Sequence, residues 1–111
     1  METDVTVKVL KALADENRLK IMRQLGQRSV CVCEMESLLS LSQPAVSHHL
    51  RILREAGLVT NMRQGKWIYY SLDRNRFVAL LESLHVLAPS SGSSESADLA
   101  RICEACELII N

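Results

Sequence analysis

The sequence predicts a mainly α chain with one small β-hairpin, built to work as a dimer. Three observations predict it. Apolar residues recur at helical spacing along most of the chain. Two β-rich runs, Leu58 to Met62 and Trp67 to Leu72, flank a short glycine-containing turn. The composition is 48% hydrophobic but only 4% aromatic, which suits a small helical core better than a β-sandwich. At 111 residues the length implies one domain, and the surface-to-volume ratio of so small a core favours oligomerisation.

The elements follow in order. Val5, Val9, Ala12 and Leu13 form an i, i+4, i+7, i+8 stripe, so a first helix is expected. Asp15 caps a second helix, with Arg18 to Leu25 as its body and Gly26 as its stop. Cys31 falls at the N-cap of a third helix and Glu34 stands at the capping-box position, with Val32, Met35, Leu38 and Leu39 facing inward. Cysteine is a poor cap, and such a local misfit points to function. Ser42 caps a fourth helix whose first turn holds Pro44, where the missing N–H costs little. Val46, Leu50 and Leu53 turn to the core, and Gly57 ends the helix. Gln43, Ser47, His48 and Arg51 share its outer face.

The third and fourth helices form a helix-turn-helix. The two strands, joined by Arg63-Gln64-Gly65-Lys66, form a wing directly after it. Phe77, Leu80, Leu81, Leu84 and Ala88 mark a further amphipathic helix. Residues 1–88 are thus a winged helix-turn-helix domain, 89–97 a Ser/Gly linker by composition. Residues 98–111 read as a last helix carrying Leu99, Ile102, Cys103, Cys106, Ile109 and Ile110 on one stripe. The first and last helices are expected to form the dimer interface.

Formal net charge is zero, so charge must be read locally. Between Ser42 and Arg76 stand six basic residues and two acidic ones, a local surplus of +4. That surplus lies where a duplex would be gripped. Gln43, Ser47 and His48 can donate or accept at base edges, while Arg51, Arg63 and Lys66 suit phosphates. The helix start at Ser42 also favours a phosphate. The bland alternative is a solvated helix face. No nucleophile is paired with a base, and no phosphate-binding glycine loop or carboxylate cluster is present, so no enzyme is expected. No apolar run approaches the length of a membrane span and no signal-peptide pattern opens the chain, so a cytoplasmic location without membrane contact is expected.

Four cysteines in such a setting are thiols rather than a disulfide framework. Cys31 and Cys33 lie about 200° apart on a regular helical wheel, so both reach one ion only if the first turn opens. A helix start lowers a thiol pKa and favours the thiolate, and thiolates select soft ions. Alternatively one is a small buried hydrophobe. Cys103 and Cys106 share one helix face and could hold a metal or pack in an interface. His49 and His85 read as core-edge histidines.

Leu13-Ala14-Asp15 with Arg18-Leu19, Cys31-Val32-Cys33-Glu34, Ser42-Gln43-Pro44-Ala45-Val46-Ser47-His48-His49-Leu50, Leu53 to Val59 and Gln64 to Tyr70 together resemble the ArsR/SmtB family over roughly residues 8–72. These are dimeric winged-helix repressors that release operator DNA on binding metals. The Cys-Val-Cys placement resembles the branch that responds to arsenite and antimonite, and a cadmium/lead branch shares it. The resemblance implies that Gln43, Ser47 and His48 contact DNA and that Cys31 and Cys33 bind trivalent arsenic or antimony. A third cysteine common in that branch is replaced by Glu36, and no ligand set of the zinc/cobalt type follows the wing. The expected switch is chelation that pulls open the first turn of the third helix. A cadmium/lead sensor, and a thiol redox or sulfide sensor, are the alternatives.

Overall fold

A computed structural model of the chain describes residues 1–89. Most of the expected linker and the expected C-terminal helix, with Cys103 and Cys106, lie outside the described residues. Five helices and three strands are present among them: α1 (Thr3–Leu13), α2 (Glu16–Leu25), β1 (Val30–Cys31), α3 (Val32–Leu39), α4 (Gln43–Glu55), β2 (Val59–Gln64), β3 (Trp67–Leu72) and α5 (Arg74–His85).

The caps explain the boundaries. The Asp15 carboxylate accepts from the Arg18 N–H at the start of α2, and the Ser42 hydroxyl accepts from the Ala45 N–H at 3.4 Å at the start of α4. Asp73 does the same for α5 through the Arg76 N–H. Each side chain satisfies a donor that the helix itself leaves unpaired. Gly57 follows α4 with φ +80°, a left-handed conformation that needs a residue without Cβ. Gly26 differs from expectation: it stays in the right-handed region at φ −65°, so α2 ends there without a left-handed glycine.

The core gathers one face from each of the early elements. Val9 and Ala12 of α1, Ile21, Met22 and Leu25 of α2, Met35 of α3 and Val46, Leu50 and Leu53 of α4 are all buried with Val30, Leu58, Val59 and Leu80. Truncating one of the fully buried leucines to alanine removes about 2–5 kcal/mol, a large share of a small domain's stability. Leu38 and Leu81, expected inside, are 51% and 52% exposed. Leu38 sits near the end of a helix of eight residues, too short to bury a full stripe. Of the stripe expected on α5, Leu80 alone is buried, and Ala88 lies past the helix end.

The sheet departs from the expected hairpin in two ways. A third strand is present, and the order is β1-β3-β2, antiparallel throughout. Val30 pairs with Tyr70 and Cys31 with Tyr69. The wing is also longer than expected: Arg63 and Gln64 are strand residues, pairing with Ile68 and Trp67. The turn is therefore Gly65-Lys66, with positive φ at Gly65 alone, the pattern of a type II′ hairpin.

Arg18 joins three helices. Its Nε donates to the Ala12 carbonyl of α1, and its Nη1 donates to His49 Nδ1 of α4 at 3.2 Å. Asp15 lies 3.9 Å from the same ring nitrogen. A guanidinium is only a donor, so Nδ1 accepts and the ring is neutral. Burial pushes the His49 pKa down, and Arg18 and His48 add to it against the pull of Asp15. His49 is thus a core-edge histidine, as its sequence position suggested.

Val7, Leu10, Val78, Val86 and Leu87 remain exposed on α1, on α5 and just after it. A groove of about 590 Å³ runs between these two helices. No described helix is long and apolar enough to cross a membrane.

Two stability tests follow from this packing. Gly57→Ala should destabilise the domain by about 1–2 kcal/mol, the left-handed penalty, read as a shifted urea midpoint. The nearest atoms to a new Cβ belong to the Arg76 side-chain end, which can move. The second test concerns His49, whose folded pKa lies below the ordinary 6.5. Its contribution is present above that value and is lost as pH falls through the folded pKa. His49→Gln should flatten this part of the acid limb in urea titrations between about pH 7 and 5; an unchanged limb would remove His49 as its cause.

Candidate nucleic-acid interface and cysteine cleft

The surface of α4 is a ready donor and acceptor face. Gln43, Ser47, His48 and Arg51 are all exposed, because Val46, Leu50 and Leu53 take the opposite face into the core. Their spacing of four, one and three residues keeps them on neighbouring turns. Arg51 Nη2 donates to His48 Nδ1 at 3.3 Å, which holds the two side chains together. Ser42 is exposed at the cap; its hydroxyl takes the Ala45 N–H and Pro44 has none, so Gln43 is left as the N–H donor of the first three helical positions.

The wing presents the second set. Arg63 Nε donates to the Gly65 carbonyl at 3.2 Å, stiffening the turn. Lys66 Nζ lies 5.1 Å from the centre of the Trp67 ring, a cation–π contact at an exposed site. Both cations remain exposed and available to phosphate oxygens.

The cysteines occupy the ground between these two elements. Cys31 is buried and Cys33 exposed. Cys31 is not on the helix: at φ −83° and ψ 158° it is extended, ending β1 and capping α3. The wheel angle therefore does not apply, and both residues line one cleft of about 220 Å³ without any turn opening. Glu36, Gln43, Lys66 and Trp67 complete most of its wall. Cys31 makes no side-chain cap bond to the helix; its thiol donates to Glu34 Oε1 at 3.7 Å. Glu34 also accepts from Arg28 at 2.7 Å, and that guanidinium foremost holds its carboxyl below the usual range.

The thiol chemistry differs from expectation. The neighbouring Cys31 thiol, with burial, pushes the Cys33 pKa up, against two backbone N–H groups that lower it. The helix start is outweighed by the adjacent sulfur. Among the described residues no group of three or more His, Cys, Asp or Glu side chains is placed to hold a metal ion. Cys103 and Cys106 lie outside them. Sequence reasoning missed Trp67 as a wall of the cleft. Its alternation with Tyr69, two residues on along a strand, was the available signal, but the partner strand β1 was not foreseen.

A helix-turn-helix with an exposed polar helix face and a basic-tipped hairpin defines a winged-helix regulator rather than an enzyme. A family model described as bacterial regulatory protein, arsR family, matches residues 15–61. The arsenical resistance operon repressor of Escherichia coli (strain K12) is 45% identical over 67 residues, 60% of this chain and 57% of that protein. The chain thus spans little more than half the length of that relative. The cadmium resistance transcriptional regulatory protein CadC homolog of Staphylococcus aureus is 40% identical over 76 residues, 68% of this chain and 63% of that protein. Among solved structures, HlyU from Vibrio cholerae N16961 superposes with a TM-score of 0.65 at 39% identity, over 79% of this chain and 98% of that one. The chain belongs to the arsR family of bacterial regulatory proteins.

Cys33 reactivity tests the geometry of the cleft. Removing the main cause of its raised pKa should increase the thiolate fraction at neutral pH. Alkylation of Cys33, followed peptide by peptide in mass spectrometry, should be faster in Cys31→Ala than in wild type. Equal rates would mean that the two thiols do not sense each other.

Proposed function

We propose that the chain is a dimeric repressor that binds operator DNA inside the cell and lets go when trivalent arsenic or antimony bridges Cys31 and Cys33. One observation carries the reading: the two thiols share a cleft with Gln43 of α4 and Lys66 of the wing. A ligand held by the sulfurs meets both elements proposed to grip DNA.

Gln43, Ser47 and His48 read base edges in the major groove, while Ser42, Arg51, Arg63 and Lys66 hold phosphates. Two such domains present two copies of α4 to successive faces of a pseudo-palindrome. The exposed apolar face of α1 and α5 supports pairing through those helices, since large uncovered apolar patches mark association surfaces. The expected contribution of residues 98–111 to that interface remains part of the proposal.

The route of the signal differs from unwinding α3. Cys31 pairs in the sheet with Tyr69 of β3. Arsenic on its sulfur therefore bears on the wing strand and on the start of α3 together. The ion shifts the equilibrium only through its preference for the shape that does not bind DNA.

A second reading has support of its own. The similarity to HlyU, named a transcriptional activator in Vibrio cholerae and solved in a reduced form, favours a sensor in which the adjacent thiols are oxidised rather than chelated.

Fluorescence anisotropy of a labelled operator decides between them. Arsenite should release the wild-type protein, whereas Cys31→Ser and Cys33→Ser should bind DNA normally and fail to respond. Serine is a good cap, worth about 1 kcal/mol, and a poor ligand for a soft ion. Release of Cys31→Ser at the wild-type arsenite concentration would overturn the arsenic reading. Cadmium acting alone, or peroxide or persulfide acting alone, would assign the cadmium or the redox reading instead.

The grip on DNA has a separate test. Affinity should fall steeply with salt, and Arg63→Ala with Lys66→Ala should weaken binding and reduce the slope of log K against log salt by about 2. An unchanged slope would remove the wing from the phosphate contacts. Gln43→Ala and Ser47→Ala should mainly relax sequence preference.

A further inference from the structure

We propose that Trp67 contacts DNA in a different way from the cations of the wing. Its indole packs against one deoxyribose of the strand that separates the groove read by α4 from the groove entered by the wing. This rests on the reading of the chain as an operator-binding regulator and is independent of what the cysteines bind.

Neighbouring major and minor grooves are divided by one sugar–phosphate strand. A domain that lays a helix in the first and a hairpin in the second lets that strand cross between them. Gln43 at the start of α4 and Lys66 and Trp67 of the wing line one cleft of about 220 Å³, so the strand crosses the mouth of that cleft. The register sets which side of the wing Trp67 takes. Residues opposite one another on paired strands point to one face, and Cys31 pairs with Tyr69. Trp67 stands two residues before Tyr69 on β3, so its indole shares the face of Cys31. That face looks toward α3 and α4, not toward the back of the wing.

The mouth of the cleft is chemically divided. Trp67 and Ile68 are 47% and 41% exposed and make one side of it apolar. Glu36 lines it too, and its carboxylate repels a phosphate. The cation, Lys66, stands beside the indole, with Nζ 5.1 Å from the ring centre. A phosphate is thus drawn to Lys66 and kept from Glu36. The group next along the strand is a sugar, whose C–H faces are the apolar surface of the backbone. Ring and cation take consecutive groups of one strand. Such a contact fixes the register of the protein on the duplex and carries no base preference.

The experiment first selects a duplex from random sequence with the full-length wild-type protein. Wild type, Trp67→Ala, Trp67→Thr, Trp67→Phe and Lys66→Ala are then compared on it. Anisotropy across a salt series reads affinity, and hydroxyl-radical footprinting reads the exposure of each sugar. Wild type should protect a sugar in each half-site between the base pairs whose preference Gln43→Ala relaxes and the adjoining minor groove. Trp67→Ala and Trp67→Thr should expose that sugar and weaken binding about tenfold, as expected for uncovering part of an indole. The slope of log K against log salt should stay the same in both, because no charge is removed. Threonine favours strands, so Trp67→Thr keeps the wing. Trp67→Phe keeps a ring and should retain most of the protection. Lys66→Ala should reduce the slope and leave the sugar protected. The fluorescence of Trp67, the chain's one tryptophan, should change when the duplex is added to wild type. A sugar still protected in Trp67→Ala and Trp67→Thr overturns the proposal whatever the affinity does, and a reduced slope beside it would make Trp67 only a prop for Lys66. Failure to enrich any duplex would instead overturn the operator-binding reading, and the proposal with it.

Discussion

The two-residue pairing of Val30 and Cys31 with Tyr70 and Tyr69 is the constraint on which the arrangement depends. It adds a third strand to what would otherwise be an isolated hairpin, and isolated hairpins are marginal in water. It also fixes the start of α3, because the residue that ends β1 is the residue that caps the helix. The wing and the helix-turn-helix are therefore one mechanical unit at Cys31. A Ser29–Ser71 hydroxyl contact of 2.6 Å closes the same seam from outside.

This constraint also accounts for the shape of the cleft. Extended backbone at Cys31 turns its sulfur away from the helical wheel and leaves it beside Cys33. The pairing brings the tip of β3 over both, so Trp67 and Ile68 become one wall. The start of α4, set by the Ser42 cap, supplies Gln43 to another. A thiol pair on an ordinary helix surface would bear on one helix. Here a group bound to sulfur bears on a strand, a helix start and the helix proposed to read DNA.

Electrostatics divides the molecule in the same way. Formal charge cancels over the whole chain, yet cations are concentrated on the wing and around α4. The anions nearest the thiols are differently employed. Glu34 is tied up by Arg28 at 2.7 Å and receives the Cys31 thiol, an exposed pair whose value is in placing the carboxylate rather than in stability. At the middle of α4, Arg18 and a neutral His49 lock the helix to α1 and α2. A helix held from both sides responds as a body when one side is disturbed, since packed interfaces switch between discrete arrangements rather than deform smoothly.

The sequence by itself determined the five helices of the described residues, the caps at Asp15 and Ser42, the buried stripe of α4 with its exposed reverse, and the family resemblance. These are local properties: a 3.6-residue period, a capping oxygen three residues before its N–H, a glycine with positive φ. It did not determine β1, whose two residues carry no periodicity and become a strand only by pairing with residues some forty positions away. Nor did it determine the exposure of Leu38 and Leu81, which depends on what reaches them from other elements. The cysteine pair shows the division most clearly. Its residues and spacing were legible, but the wheel placed the sulfurs apart and the helix start promised a lowered thiol pKa. Tertiary structure decided both otherwise, because strand pairing holds Cys31 in an extended conformation beside Cys33, and an adjacent thiol acts at closer range than a helix dipole.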